Sequence, residues 1–211
     1  MYTPPAFREM RAEVLHDAIR SYPLATLVTH GDGGLEASLV PLLIVEDAGE
    51  RPVLRGHLAR NNPQLEVLRR GGEVMALFQG PQAYVSPSWY ATKQEHGKVV
   101  PTWNYVVVSA WGVARVVEDA DWLRAQIGAL TEQQEGHRVE PWAVSDAPDA
   151  FIAAQLDGIS GVEIVVDRLE GKWKASQNQP EANRRGVTEG LRKDDPGSAM
   201  AALMDKLEGQ R

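Results

Sequence analysis

Apolar and polar positions alternate with a period of two through most of the chain. Helical spacing is confined to the two ends and a few insertions. LATLVTH (24–30) alternates and is β-branched, GDGG (31–34) supplies a tight turn, and LEASLVPLLIV (35–45) returns. That pattern predicts a two-strand hairpin, with Pro41 marking an edge or a bulge. RPVLRGHL (51–58) predicts a third strand. EVMALFQG and AYVSP predict two short ones, and TWNYVVVSAWGVARVVED (102–119) one long strand bent at Gly112. GVEIVVDRLEGKWKAS (161–176) predicts one or two strands turning at Glu170-Gly171.

Helices are expected at 6–20, where Phe7, Met10 and Val14 recur at helical spacing, and just after Asn62-Pro63, where Leu65 and Leu68 pair. Further helices follow the capping Asp119, DAFIAAQLDG, and the tail segments PEANRRGVTEGLRK and PGSAMAALMDKLEGQ. His16 is expected on a helix surface, and ATKQEHGK, without an apolar anchor, as a hairpin tip or open loop. Six or seven strands joined by short turns favour an antiparallel barrel over a parallel sheet.

The totals narrow the chemistry. At 211 residues the chain suits one domain with a small appendage. We divide it at 1–180, a barrel domain with its N-terminal helix, and 181–211, a C-terminal helical extension. No Cys is present, which removes thiolate chemistry and Cys-based metal sites and points to a cytoplasmic setting. No stretch is apolar enough to span a bilayer. The net charge of -7 repels nucleic acid unless a local basic face exists. The five His show no ligand spacing, so no metal site is expected.

The most chemical segment is GHLARNNPQ (56–64). A strand ends and a helix begins there, with His57, Arg60, Asn61 and Asn62 at the junction. Unpaired helix N–H groups and a guanidinium suit a phosphate or carboxylate. An ordinary capped helix explains the same residues, and both readings stand. KASQNQPEANRRG (174–186) could line a ligand mouth or simply be a solvated connection. Arg184, Arg185, Arg192 and Lys193 are offset by Glu181, Glu189, Asp194 and Asp195, which reads as a salt-bridged face. SPSWYATKQEHGKVVPTWNY (86–105) carries aromatic bodies with polar tips, suited to a flat ligand or an interface.

Four motifs in order, MYTPPAFRE, GHLARNNPQ, VSPSWY…VPTWNY and K-x-SQN-x-P-E-A…R-x-GV, resemble the PaiB-type family of FMN-binding negative transcriptional regulators. The resemblance runs from Met1 to about Leu191. It implies a mainly β fold with flanking helices: an antiparallel, Greek-key, FMN-binding split β-barrel of the pyridoxamine-phosphate-oxidase type. It also implies a homodimer with FMN sites between subunits. The phosphate would lie at His57 to Asn62, and the ring against Ser38 to Pro41, with Ser38 and Val40 in contact. Thr102 and Trp103, or Lys174 to Asn178 with Gln177 among them, would complete the site from the partner. A Thr-His-Leu-Pro-like run belongs on the early strand, where this chain has Ser38-Leu39-Val40-Pro41. The function implied is negative regulation, with DNA as a partner. The alternative is a flavin oxidoreductase acting on a small flat substrate, with no residue announcing itself as catalytic.

Overall fold

Strand segments dominate the computed structural model, which describes residues 1–46 and 51–209. The chain opens with a 3-10 turn (Pro5–Phe7), β1 (Arg8–Glu9) and α1 (Ala12–Ser21). Then come β2 (Leu24–Gly31), β3 (Gly34–Pro41), β4 (Leu43–Val45), β5 (Val53–Ala59) and α2 (Gln64–Arg69). β6 (Glu73–Val85), a 3-10 turn (Pro87–Trp89), α3 (Lys93–His96), β7 (Thr102–Val117) and α4 (Ala120–Glu135) follow. A 3-10 turn (Val144–Asp146), α5 (Asp149–Leu156), β8 (Ile159–Lys174), α6 (Glu181–Asp194) and α7 (Ala199–Glu208) complete the order.

The eight strands form one antiparallel sheet in the order β3-β2-β6-β7-β8-β5-β4, with β1 paired to β8. β3 opens that order and β4 closes it, and only Leu42 separates them in the chain. This is the strand order of a split β-barrel with flanking helices. The hairpin register sets Leu24 opposite Pro41 and Gly31 opposite Gly34. Ala25, Leu27 and Thr29 are buried on alternate positions of β2, as the period-two pattern requires.

The sequence misjudged several boundaries. The N-terminal helix starts at Ala12, because the Glu9 carboxylate accepts from the N–H groups of Met10 and Arg11 and turns the chain out of β1. EVMALFQG and AYVSP are one strand, β6, which continues through Pro81. β8 also runs unbroken. Gly171 sits in it because a Cβ would lie 2.3 Å from Leu15 Cδ2, not because the chain turns. ATKQEHGK contains one helical turn, closed by Gly97 at φ 66°. His16 is largely covered and pairs with Glu46 at 3.1 Å. Gly112 lies inside the continuous strand β7, where a Cβ would lie 2.0 Å from the Val165 carbonyl oxygen.

Two compact units share the chain. One comprises Met1–Leu15, Gln79–Val108 and the chain from Glu170 onward. Its core gathers Val85, Tyr90 and Ala175 with Val187, Leu191, Met200, Ala201 and Met204 of the last two helices. The other comprises His16–Phe78 and Ser109–Leu169. One cluster within it joins Leu123, Ile152 and Leu156 under α4 and α5.

Candidate functional site

In the second unit the end of β5 leads through Arg60, Asn61 and Asn62 into α2. The Asn62 side chain is spent within the protein. Its Oδ1 accepts from Gln64 N–H at 2.9 Å, and its Nδ2 donates to Ser38 Oγ at 3.2 Å. The loop is thereby tied to β3, and Ser38 is brought beside the junction. Gln64, fully buried, donates to Leu27 O, Thr29 Oγ1 and Glu36 O, which fixes α2 against the hairpin. Its Oε1 has no partner.

Arg60 is half exposed and donates to Ile159 O at 3.1 Å. It faces Glu118 at 3.6 Å, and Arg69 faces the same carboxylate at 2.9 Å. Ser160 Oγ donates to Glu118 as well. The hydrogen bond from Arg69 holds the Glu118 carboxyl below its ordinary range, with Ser160 and the Arg60 charge adding to it against desolvation. Two guanidiniums thus share one carboxylate, and one positive charge is left over at the strand end. His57 Nδ1 meets Gln126 Oε1 at 2.9 Å, while Gln126 Nε2 is buried without a partner. Val40 is buried, main chain included, and pairs with Ala25 in the hairpin. Leu39 stands 68% exposed beside it.

The remaining residues singled out from the sequence lie in the first unit. Lys174, at the end of β8, donates to Thr102 Oγ1 and to Trp103 O. Desolvation pushes its ammonium below the ordinary value; Tyr105 opposes that shift and Lys172 adds to it. The Trp103 ring is exposed and meets Tyr84 edge-on, with centroids 6.1 Å apart. Lys174 and Thr102 line a cavity of about 350 Å³ together with Tyr90, Lys98, Asn104 and Asn183. Gln177 does not join them. Its amide accepts from Ala175 N–H and donates to Trp173 O, closing the end of β8, and it borders a different cavity beside α6 and α7.

Sequence reasoning missed Arg69 on α2, which reaches the same carboxylate as Arg60, and Glu118 and Ser160, which strand pairing brings to the junction. It also missed the buried pair Asn104–Ser176, joined at 3.0 Å. Ser176 has φ 62°, a left-handed conformation that a serine gives no reason to expect. The salt-bridged reading of α6 is correct in kind, with partners the sequence could not supply: Arg184 pairs with Glu208 and Arg192 with Asp205, both on α7.

The donor set at the β5–α2 junction fits the phosphate of a flavin nucleotide. Arg60, Arg69 and Asn61 can serve an anion, the buried Ser160 hydroxyl being spent on Glu118, and the surplus charge is positive. Together with the strand order, this defines a flavin-binding split barrel. Residues 1–168 match the family model described as "Putative FMN-binding domain". Protease synthase and sporulation protein PAI 2 of Bacillus subtilis is 33% identical over 213 residues, covering 100% of both chains. An uncharacterized protein of Emericella nidulans is 34% identical over 245 residues, covering 97% of this chain and 96% of its own. Among solved structures, an FAD and heme binding protein from Mycobacterium smegmatis superposes with a TM-score of 0.59 at 19% identity, over 79% of this chain and 73% of that one. The chain belongs to the PaiB-type FMN-binding family, which assigns it FMN or a related flavin as cofactor.

Proposed function

We propose that this protein is a homodimeric, FMN-binding regulator that lowers transcription of its target genes. The observation that carries the reading is the end-to-end likeness to the sporulation protein, whose full length it shares. Arg60, Asn61 and Arg69 would hold the phosphate, with Asn62 fixing the loop to Ser38. Ser38 would face the ring. Trp103 and Gln177 would be contributed across the dimer. Leu35 and Leu39, 77% and 68% exposed on β3, give a second copy or a flavin ring an apolar surface to cover. A bound flavin supplies hydride or electron transfer at its ring; the residues here bind and orient it. The same site would serve a flavin oxidoreductase, which is the second reading.

Freshly purified protein is expected to show flavin absorbance, or to take up added FMN with quenching of flavin fluorescence. Arg60→Ala is expected to weaken FMN about tenfold or more, the scale of one lost charge-assisted phosphate contact. A colourless protein that ignores FMN would remove the cofactor. Unchanged affinity in the variant would move the phosphate to another strand end.

A further inference from the structure

The cavity beside Lys174 has a composition at odds with the rest of the chain. The protein carries 29 acidic residues against 22 basic ones. Among the described residues, the cavity wall contains Lys174, Lys98 and His96 and no Asp or Glu; everything else is neutral. Lys174 Nζ has three protons. An uncharged hydroxyl, Thr102 Oγ1, and an uncharged carbonyl, Trp103 O, take two of them. Among the described residues, the ionisable neighbours acting on that ammonium are Tyr105 and Lys172. A partly buried ammonium with no counter-ion is costly unless an anion arrives from outside.

The wall is also built to hold a polar body. Asn183 clamps the excursion between β6 and β7, its Oδ1 accepting from Thr92 N–H at 3.1 Å and its Nδ2 donating to Thr92 Oγ1 at 3.0 Å. Asn104 and Ser176 brace the floor through their buried pair. Asn178 and Gln179 border the same space. Lys98 comes from the excursion and Lys174 from β8, so one ligand can bridge the two. Burial keeps the Tyr90 phenol protonated, as a neutral hydrogen-bonding group in the wall.

We propose that this cavity is a separate site for a small organic anion, one oxyanion end on Lys174 and Lys98 and a hydrogen-bonding body against Asn178 and Gln179. About 350 Å³ is at the small end of ligand pockets, suited to a metabolite rather than to a whole flavin nucleotide. Binding neutralises Lys174 and fastens the excursion to β8, which makes the site a place where a metabolite can act on the regulator. Lys174 and Thr102, candidates for the flavin from the sequence, go to the anion instead, and the inference does not rest on the flavin reading.

The test is tryptophan fluorescence and calorimetric titration of the whole protein, with ionic strength held constant by chloride. Inorganic phosphate and succinate are the two probes, and they tell phosphate from carboxylate recognition. We expect saturable binding of at least one probe in both flavin-free and FMN-loaded protein. Lys174→Gln should weaken it about tenfold. Lys98→Gln, on the exposed excursion, should weaken it about threefold and serves where the first variant fails to fold. Arg60→Ala should leave the anion bound while reducing FMN, so the two readings fail separately. The inference is overturned if neither probe binds. It is overturned equally if both lysine variants bind like the parent, or if FMN displaces the anion one for one.

Discussion

Glu118 shows how one carboxylate sets the charge of the site. It is shared by Arg60 and Arg69, and it is the anion that a flavin phosphate would have to displace or join. Glu118→Gln is therefore expected to tighten FMN binding by up to about tenfold, since a competing charge is removed and the donors stay. Stability should fall slightly at neutral pH. The carboxylate is half exposed, so solvent screening keeps the loss within about 1 kcal/mol. The sign with pH follows from the depressed folded value: the contribution is complete above the unfolded carboxyl value, about 4.3, and is lost as pH falls through the lower folded value. Parent and variant should then converge in thermal melts under strong acid. A gap that widens there would mean that Arg69 does not hold this carboxylate. Lys174 has the same sign by another route. Its lowered value means that burial disfavours the charged form, a cost that an anion in the cavity would relieve.

Helix α6 docks on the Pro87–Trp89 turn through two glycines. A Cβ at Gly186 would lie 2.1 Å from Trp89 O, and one at Gly190 would lie 2.3 Å from the Trp89 ring. Gly→Ala inside a helix ordinarily stabilises by about 1 kcal/mol. Here the backbone of the Pro87–Trp89 turn is in the way, and overpacking costs about 1–3 kcal/mol. Gly186→Ala should thus lower the urea midpoint, and a raised midpoint would mean that the turn does not sit on α6. The motif SPSWY was legible as aromatic and polar, yet its role as a ridge under α6 was not. That role depends on two glycines about a hundred residues downstream. The same limit explains the other misses. Alternation revealed β2, β3, β5 and β7, because one buried face repeats every second residue. It could not distinguish Gly171, placed for close approach to Leu15, from a turn glycine. It could not show that Pro81 sits inside a continuing strand. At the site, Arg60 and its junction were visible as a local motif. Glu118 and Ser160, which complete it, come from β7's end and β8, and only strand pairing brings them there.

At the scale of the molecule, the proposed regulation by DNA contact, at a net charge of -7, requires a local basic surface. The C-terminal helices do not supply one freely. Arg184 pairs with Glu208, Arg185 with Glu189 at 3.9 Å, and Arg192 with Asp205. A phosphate contact there would first have to break an ion pair, and the displaced carboxylate would remain to repel the backbone. No helix among the described residues is long and apolar enough to cross a membrane, so a bilayer-spanning helix does not account for the exposed apolar positions on β3. Direct repression is therefore expected to use few phosphate contacts. Each contact contributes about -0.9 to the slope of log K against log salt, so a slope shallower than about -4 follows. Anisotropy titrations on DNA upstream of its own gene, from low to physiological salt, would measure it. A slope near -8 would require a basic surface that one chain does not display, formed only on assembly. Absence of binding even at low salt would remove direct DNA contact and leave the flavin oxidoreductase as the reading of the site.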